Sequence, residues 1–206
     1  MKERQLIFMD FEFSMPEGKN SPRNFYPEII EAGIVLIRNG NIEKQFSSYV
    51  KPMAFPKLTQ RCKKFLHIKQ ENVDDGMPFH ELVNYLKEIN DGTSQNKIIT
   101  WGNMDIKVLR NNCQQAKLSY PLQGEYVDLS MEYKRFFGDR NQTGLWKAVE
   151  EYGKDGIGKH HKALDDALTT YHIYKLVEKD KQYLQKASPP TIGDRVDLSK
   201  LYNLLA

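Results

Sequence analysis

IIEAGIVLIRNGNIEKQFSSYV, residues 29–50, decides the fold. IIEAGIVLI is an almost unbroken apolar run of strand length, and IEKQFSSYV returns after it with mixed character. Between them stands Arg38-Asn39-Gly40-Asn41, whose Asn-Gly pair tolerates the positive φ that a tight antiparallel turn demands. A β-hairpin follows. Upstream, LIFMDFEF (residues 6–13) is dense in aliphatic and aromatic residues, as expected of a central strand covered on both faces. The intervening SMPEGKNSPRNFYPE (14–28) is rich in proline, glycine and asparagine and reads as a long loop.

Past the hairpin the pattern changes. TQRCKKFLHIKQENV (59–73) reads as a basic, mostly helical patch, and FHELVNYLKEIN (79–90) as an amphipathic helix. NKIITW (96–101) is a fourth strand, MDIKVLRNNCQQAK (104–117) a helix and EYVDLS (125–130) a short fifth strand. GLWKAVEEYG (144–153) is another helix. The last long one begins within GKHHKALDDALTTY (158–171) and runs to about Lys181. Antiparallel strands followed by alternating strands and helices predict a mixed α/β fold, a five-stranded sheet flanked by helices. Residues 1–186 are expected to form one domain, with 187–206 a tail that packs on it or docks a partner.

Composition narrows the class. With 206 residues and 40% hydrophobic content, the chain can build one mid-sized core. A formal net charge of +3 permits a polyanionic partner without requiring one. Cys62 and Cys113, far apart and outside any CxxC pairing, speak against a disulfide or zinc framework. Asp10 and Glu12 interrupt the N-terminal apolar run, and no small-residue cleavage site follows, so it does not read as a signal peptide. No apolar stretch reaches membrane-spanning length. A cytoplasmic protein without a membrane partner is expected.

Chemistry enters with Asp10 and Glu12, which share one face of the first strand because side chains two apart do so. Two close carboxylates in a desolvated place repel unless a cation compensates, and Mg²⁺ or Mn²⁺ would serve. Read alone, the pair could equally meet solvent or a nearby Arg or Lys. Asp105, in WGNMD (101–105), follows the fourth strand, where a lone acid also suits the first turn of a helix. In HHKALDD (160–166) a helical wheel puts Ala163, Ala167, Thr170, Ile173, Tyr174 and Val177 on one inward arc with Asp166 at its edge. Asp165 falls on a polar face with Thr169 and His172, as solvated charge. Four acids and His161, the histidine that shares Asp166's spacing, suit two divalent ions about 4 Å apart and a base for an attacking water. The glycines before them (DGIGK) suggest a mobile loop.

DFE at 10–12, WGNMD at 101–105 and HHKALDDA at 160–167 together resemble the three motifs of the DEDDh exonucleases, built on a ribonuclease H-like fold. The resemblance runs in order over nearly the whole chain. It implies 3′-to-5′ hydrolysis from a free end of single-stranded nucleic acid. Asp10, Glu12, Asp105 and Asp166 would be the ligands of two Mg²⁺ or Mn²⁺ ions, and His161 the general base. The MPEGKNSPRNFYPEIIEAG insert (15–33), the Lys-Pro of the third strand and FLHIKQENVDDGMPF (65–79) are similar to the histone-mRNA and RNAi-enhancing exonuclease subgroup, a likeness that favours RNA over DNA. Within that subgroup the likeness extends to a bacterial inhibitor of a sporulation kinase pathway. That implies, as an alternative, an interaction scaffold with a protein partner there. One departure is Leu66-His67-Ile68, where many relatives carry Thr-Gly-Ile.

Candidate substrate contacts are Ser14 and Met15 just past the first strand, His67, Trp101 and Asn103 in WGNMD, and His160 against a phosphate. Phe65 and Trp101 are candidates for base stacking, whereas alternation sends Phe11 and Phe13 to the core. Lys57, Arg61, Lys63, Lys64 and Lys69 form the densest basic stretch, as a solvated face or a track for phosphates.

Overall fold

The hairpin forms as its turn residues require. In the computed structural model, which describes residues 5–18, 22–90 and 96–186, Asn39 and Gly40 have φ of 52° and 77°. They join antiparallel strands β2 (Ile29–Arg38) and β3 (Asn41–Lys51). β1 (Gln5–Phe13) pairs antiparallel with β2 on one side and parallel with β5 (Lys97–Thr100) on the other, so it is central as expected. β6 (Glu125–Asp128) pairs with β5. One strand more than expected closes the other edge. β4 (Met77–Pro78) adds two residues beside Val50 and Lys51, giving the order β4-β3-β2-β1-β5-β6.

Helices cover the sheet on both faces. Ile7, Met9 and Phe11 of β1 meet Ala32, Ile34 and Leu36 of β2 in a core completed by α3 (Phe79–Ile89) and α4 (Met104–Gln115). Leu82, Val83, Leu86 and Leu109 supply much of it, and Phe13 packs partly against it. The basic patch breaks into α1 (Gln60–Leu66) and α2 (Gln70–Asp74). His67, between them, takes left-handed φ and ψ (53°, 37°), the conformation that favours the glycine of many relatives. Cys62, Leu66, Ile68 and Val73 close over Ile30 as a smaller core. α5 (Leu129–Phe137) was not expected, and α6 (Leu145–Glu151) was.

On the opposite face of β1 and β2 lies the first part of α7 (Ala163–Lys186), up to Ile173. His160 and His161 lie in the turn before it rather than in its first coil. Ala163, Ala167, Thr170 and Ile173 are fully buried, as the wheel predicts, but so is Thr169, which the wheel put on the polar face. The contact is closest at Gly33, where a Cβ would overlap the backbone of Ala163 and Leu164. Met1–Ile173 make one compact unit. From Tyr174 the chain makes a second, whose described part is the rest of α7, with a Glu178–Lys181 ion pair of 2.9 Å. The tail at 187–206 lies outside the described residues.

The absence of room at Gly33 makes a direct prediction. Gly33→Ala forces helix and sheet apart and costs about 2 kcal/mol or more, as overpacking does. Thermal unfolding should show Tm lowered by roughly 5 °C or more. An unchanged Tm would mean that α7 does not depend on this contact.

Candidate active site

Strand alternation puts Asp10 and Glu12 on the α7 face, opposite Gly33 and Glu31 of β2. The register shifts between Glu12 and Phe13, a bulge of the kind that re-aims side chains at a strand end. On the far side of β1 the pairing with β5 stops at Phe8. The N–H of Phe11 beyond it donates to Asp105 Oδ1 at 2.9 Å. That bond fixes the first turn of α4 beside Asp10. α4 is tied a second time through Asn112, whose Oδ1 accepts from Ile29 N and whose Nδ2 donates to Pro27 O.

Asp166, in the first turn of α7, is held from two directions. Its Oδ1 accepts from Trp146 Nε1 at 2.6 Å and its Oδ2 from the His161 backbone N–H at 3.0 Å. His161 has a φ of 61°, which turns its ring toward Glu12, with Nδ1 3.8 Å from Oε1. The imidazole lies in a column of rings. Phe65 is 4.4 Å from it, His160 stacks on it at 3.9 Å, and Trp146 follows 5.1 Å from His160.

The loop before α7 is pinned, contrary to the mobility its glycines suggested. Ile157 N donates to Thr169 Oγ1 at 2.9 Å, and Lys159 N to Asp165 Oδ2 at 2.7 Å. With the His161 bond, alternate N–H groups of the loop are taken by side chains of one helix. Asp165 is therefore a clamp on the loop and not solvated charge. Gly158, with φ of 68°, leaves room for its carboxylate.

Charge in this corner is badly balanced. Burial and the negative charges of Asp105, Asp166, Glu12 and Glu31 push Asp10 well above the usual carboxylate range. Glu12 rises to about 8 through burial and the charges of Asp166, Glu31 and Asp105, with only partial relief from Lys162. Asp105 rises to about 7 through burial, against the lowering effect of the Phe11 N–H. Burial also raises Asp166, opposed by the hydrogen bond from Trp146, by His160 and by the His161 N–H. Burial, His160 and His67 lower His161, so its imidazole is neutral at ordinary pH. Glu12, His161 and Asp166 each offer a ligand atom within 4.8 Å of the others. Buried, mutually repelling carboxylate oxygens with an imidazole fit a divalent cation, which would supply the missing positive charge.

The five groups open into a cleft of about 450 Å³, walled by Trp101, Met104, Leu145, Trp146 and Phe65 among others. Of the expected substrate contacts, Ser14, Met15, Trp101 and His160 line it. Ser14 is less available than anticipated, because its N–H donates to Glu28 O and its Oγ accepts from Glu28 N. His67 lines a neighbouring cavity instead, and Asn103 is the exposed N-cap of α4. Sequence reasoning missed Trp146, Met104 and Glu31. Glu31 is 4% exposed, accepts from the Ala163 backbone N–H and pairs with Lys162 Nζ at 3.2 Å. An acid within the apolar run of β2 was the signal for it. Nothing in the periodicity marked Trp146.

This fold and acid cluster define a nuclease class, and the comparisons agree. Residues 7–174 match the RNase_T family, described as exonucleases, and the chain belongs to it. It is an enzyme of the 3′–5′ exonuclease class. In particular, it is 59% identical to the Probable 3′-5′ exonuclease KapD of Bacillus subtilis (strain 168) over 201 residues, 98% of each chain. It is 31% identical to ERI1 exoribonuclease 2 of Xenopus laevis over 80% of this chain but only 27% of that one. Among solved structures, the nuclease domain of 3′hExo, a DEDDh family member bound to rAMP, superposes with a TM-score of 0.75. The two share 29% identity over 87% of this chain and 94% of that one. No helix among the described residues is long and apolar enough to cross a membrane.

The raised carboxyls set a pH dependence. Folding lifts Glu12 and Asp105 above their unfolded values of 4.5 and 3.8, so the folded chain holds protons that the unfolded chain has released. Their contribution to stability is present below those values and lost as pH rises through about 7 to about 8. Metal-free protein should therefore melt lower at about pH 8 than at about pH 5, and Glu12→Gln should recover part of the difference. Added Mn²⁺ should raise Tm more at the higher pH. Equal shifts at both would show that the acids do not repel one another.

Proposed function

We propose that an exonuclease domain at residues 1–186 removes nucleotides stepwise from the 3′ end of single-stranded nucleic acid, RNA in preference to DNA. Asp10, Glu12, Asp105 and Asp166 hold two divalent ions, Mg²⁺ or Mn²⁺, and His161 is the general base. The observation that carries this reading is the meeting of four carboxylates and a neutral imidazole, from three separated segments, at the floor of one cleft. The names of the vertebrate relatives, exoribonucleases, support the RNA preference. When bound, the ions supply electrostatic stabilisation of the phosphodiester oxygens and a more acidic water.

The chain's own residues do the rest. His161, kept neutral by burial and by its neighbours, accepts the proton that the attacking water loses. Its ring is oriented by the left-handed backbone, by Phe65 on one side and by His160 on the other. Trp146 fixes one oxygen of Asp166 and the His161 N–H the other, so base and ligand move as a unit. The apolar wall of Trp101, Met104 and Leu145 receives the terminal nucleoside and thins the water around the scissile bond. Met15 and His160 line the same space and contact the sugar-phosphate end.

The test uses 5′-labelled single-stranded RNA and DNA with Mn²⁺, Mg²⁺ or EDTA. A metal-dependent ladder shortening from the 3′ end is expected, faster on RNA and abolished by Asp10→Ala. His161→Ala should lower kcat by roughly 10²–10⁴-fold. Asp166→Ala should be as severe. Asp165→Ala should cost about 1–2 kcal/mol of stability while keeping most activity. Failure to shorten either polymer with either metal overturns the proposal.

A further inference from the structure

Among the described residues the cleft has no lysine or arginine in its lining, although the polymer it is proposed to cut carries one negative charge per residue. The nearest concentration of positive charge lies across one rim. A second cavity of about 550 Å³ on the α1–α2 surface is lined by Lys63, Lys64, His67 and Lys69, with Glu71 as its one acid. Among the described residues none of the three lysine ammonium groups has a carboxylate partner. This contrasts with Lys162 and Lys97, which are paired at 3.2 Å. Glutamine 70, also in the lining, is turned to structural work, accepting from Leu58 N and donating to Pro56 O and Asp74. The lysines keep their charge for a ligand.

Phe65 stands at the edge of the cleft, next in sequence to two lysines of the second cavity. It lines the cleft, follows Lys63 and Lys64 in the same helix, and its ring covers His161 at 4.4 Å while remaining 52% exposed. An exposed ring beside a row of unpaired cations is the combination that holds single strands, with bases on the aromatic face and phosphates on the charges. We infer that the strand leaves the cleft over Phe65 and that Lys63, Lys64 and Lys69 bind the phosphates on the 5′ side of the scissile one. His67, which lines this cavity and not the cleft, belongs to the same track. The inference rests on the exonuclease reading and adds a substrate-length preference to it. A dinucleotide, whose only internal phosphodiester sits over the acids, gains nothing from the track, and a longer strand does.

The experiment compares wild type, a Lys63→Gln/Lys64→Gln/Lys69→Gln variant, and a Lys44→Gln/Lys87→Gln/Lys154→Gln control with the same charge loss on other surfaces. Binding of a fluorescent single-stranded 12-mer in EDTA is read by anisotropy across about 50–300 mM salt. The track variant should bind roughly ten-fold more weakly at the low end, with the slope of log K against log salt reduced by about 2, while the control stays near wild type. With metal, its kcat/KM should fall about ten-fold on the 12-mer and stay unchanged on a dinucleotide with a 5′-hydroxyl, which has no phosphate beyond the scissile one. Wild-type affinity and slope in the track variant, or an equal loss in the control, overturns the track. An inactive wild type on both substrates would instead overturn the exonuclease reading, and the binding comparison would still decide the track.

Discussion

The first turn of α7 lies on Gly33 with no room for a side chain between them, and the distance of Asp166 from the strand acids follows from this contact. Gly33 is the cross-strand partner of Asp10, and two residues away Glu31 is the partner of Glu12. A helix seated there has its N-terminal N–H groups over the sheet's carboxylates. Glu31 takes the N–H of Ala163, and the Lys162 ammonium bridges it to the Tyr49 hydroxyl. With residue 163 fixed, Asp166 must lie one turn along, within reach of Glu12 and His161. A side chain at 33 would lift the helix and open the whole cluster.

Five buried or half-buried acids in one corner are a poor arrangement for the chain alone. Hydrogen bonds from Phe11 N, Trp146 Nε1 and His161 N offset part of the repulsion, yet the acids stay raised. Stability is given up here at a place whose uncompensated negative charge suits a divalent cation. The compensation lies in a densely apolar sheet, with Ile7, Phe8, Met9 and Val35 fully buried beside the site.

What could be read from the sequence was what depends on neighbours in sequence. The three antiparallel strands were legible because their apolar runs and the Asn39-Gly40 turn are local signals. The wheel could separate Asp166 from Asp165 because both belong to one regular helix. It could not show that Asp165 and Thr169 clamp the preceding loop, since their partners are backbone N–H groups brought back by the fold. Nor could it place Trp146, which reaches Asp166 from another helix. α5 was overlooked although its ends were marked. Asp128 accepts from Met131 N as an N-cap, and Gly138 closes the helix in the left-handed region. His67, read as a substrate contact from its chemistry, has a left-handed backbone and lines the neighbouring cavity rather than the cleft, a placement no local signal marked.

Glu28 has a wider consequence. Its backbone exchanges two hydrogen bonds with Ser14, and its carboxylate gathers the N–H groups of Met53, Ala54 and Phe55. The ends of the 14–28 segment are thus sewn together at a neck that is itself anchored to the chain after β3. Whatever the segment between does, the strands on either side keep their register. Loop closure grows only slowly with length, about 0.6 kcal/mol per doubling, so such a neck tolerates lengthening or trimming of what it encloses. The neck thus uncouples the length of what it encloses from the placement of the acids on β1.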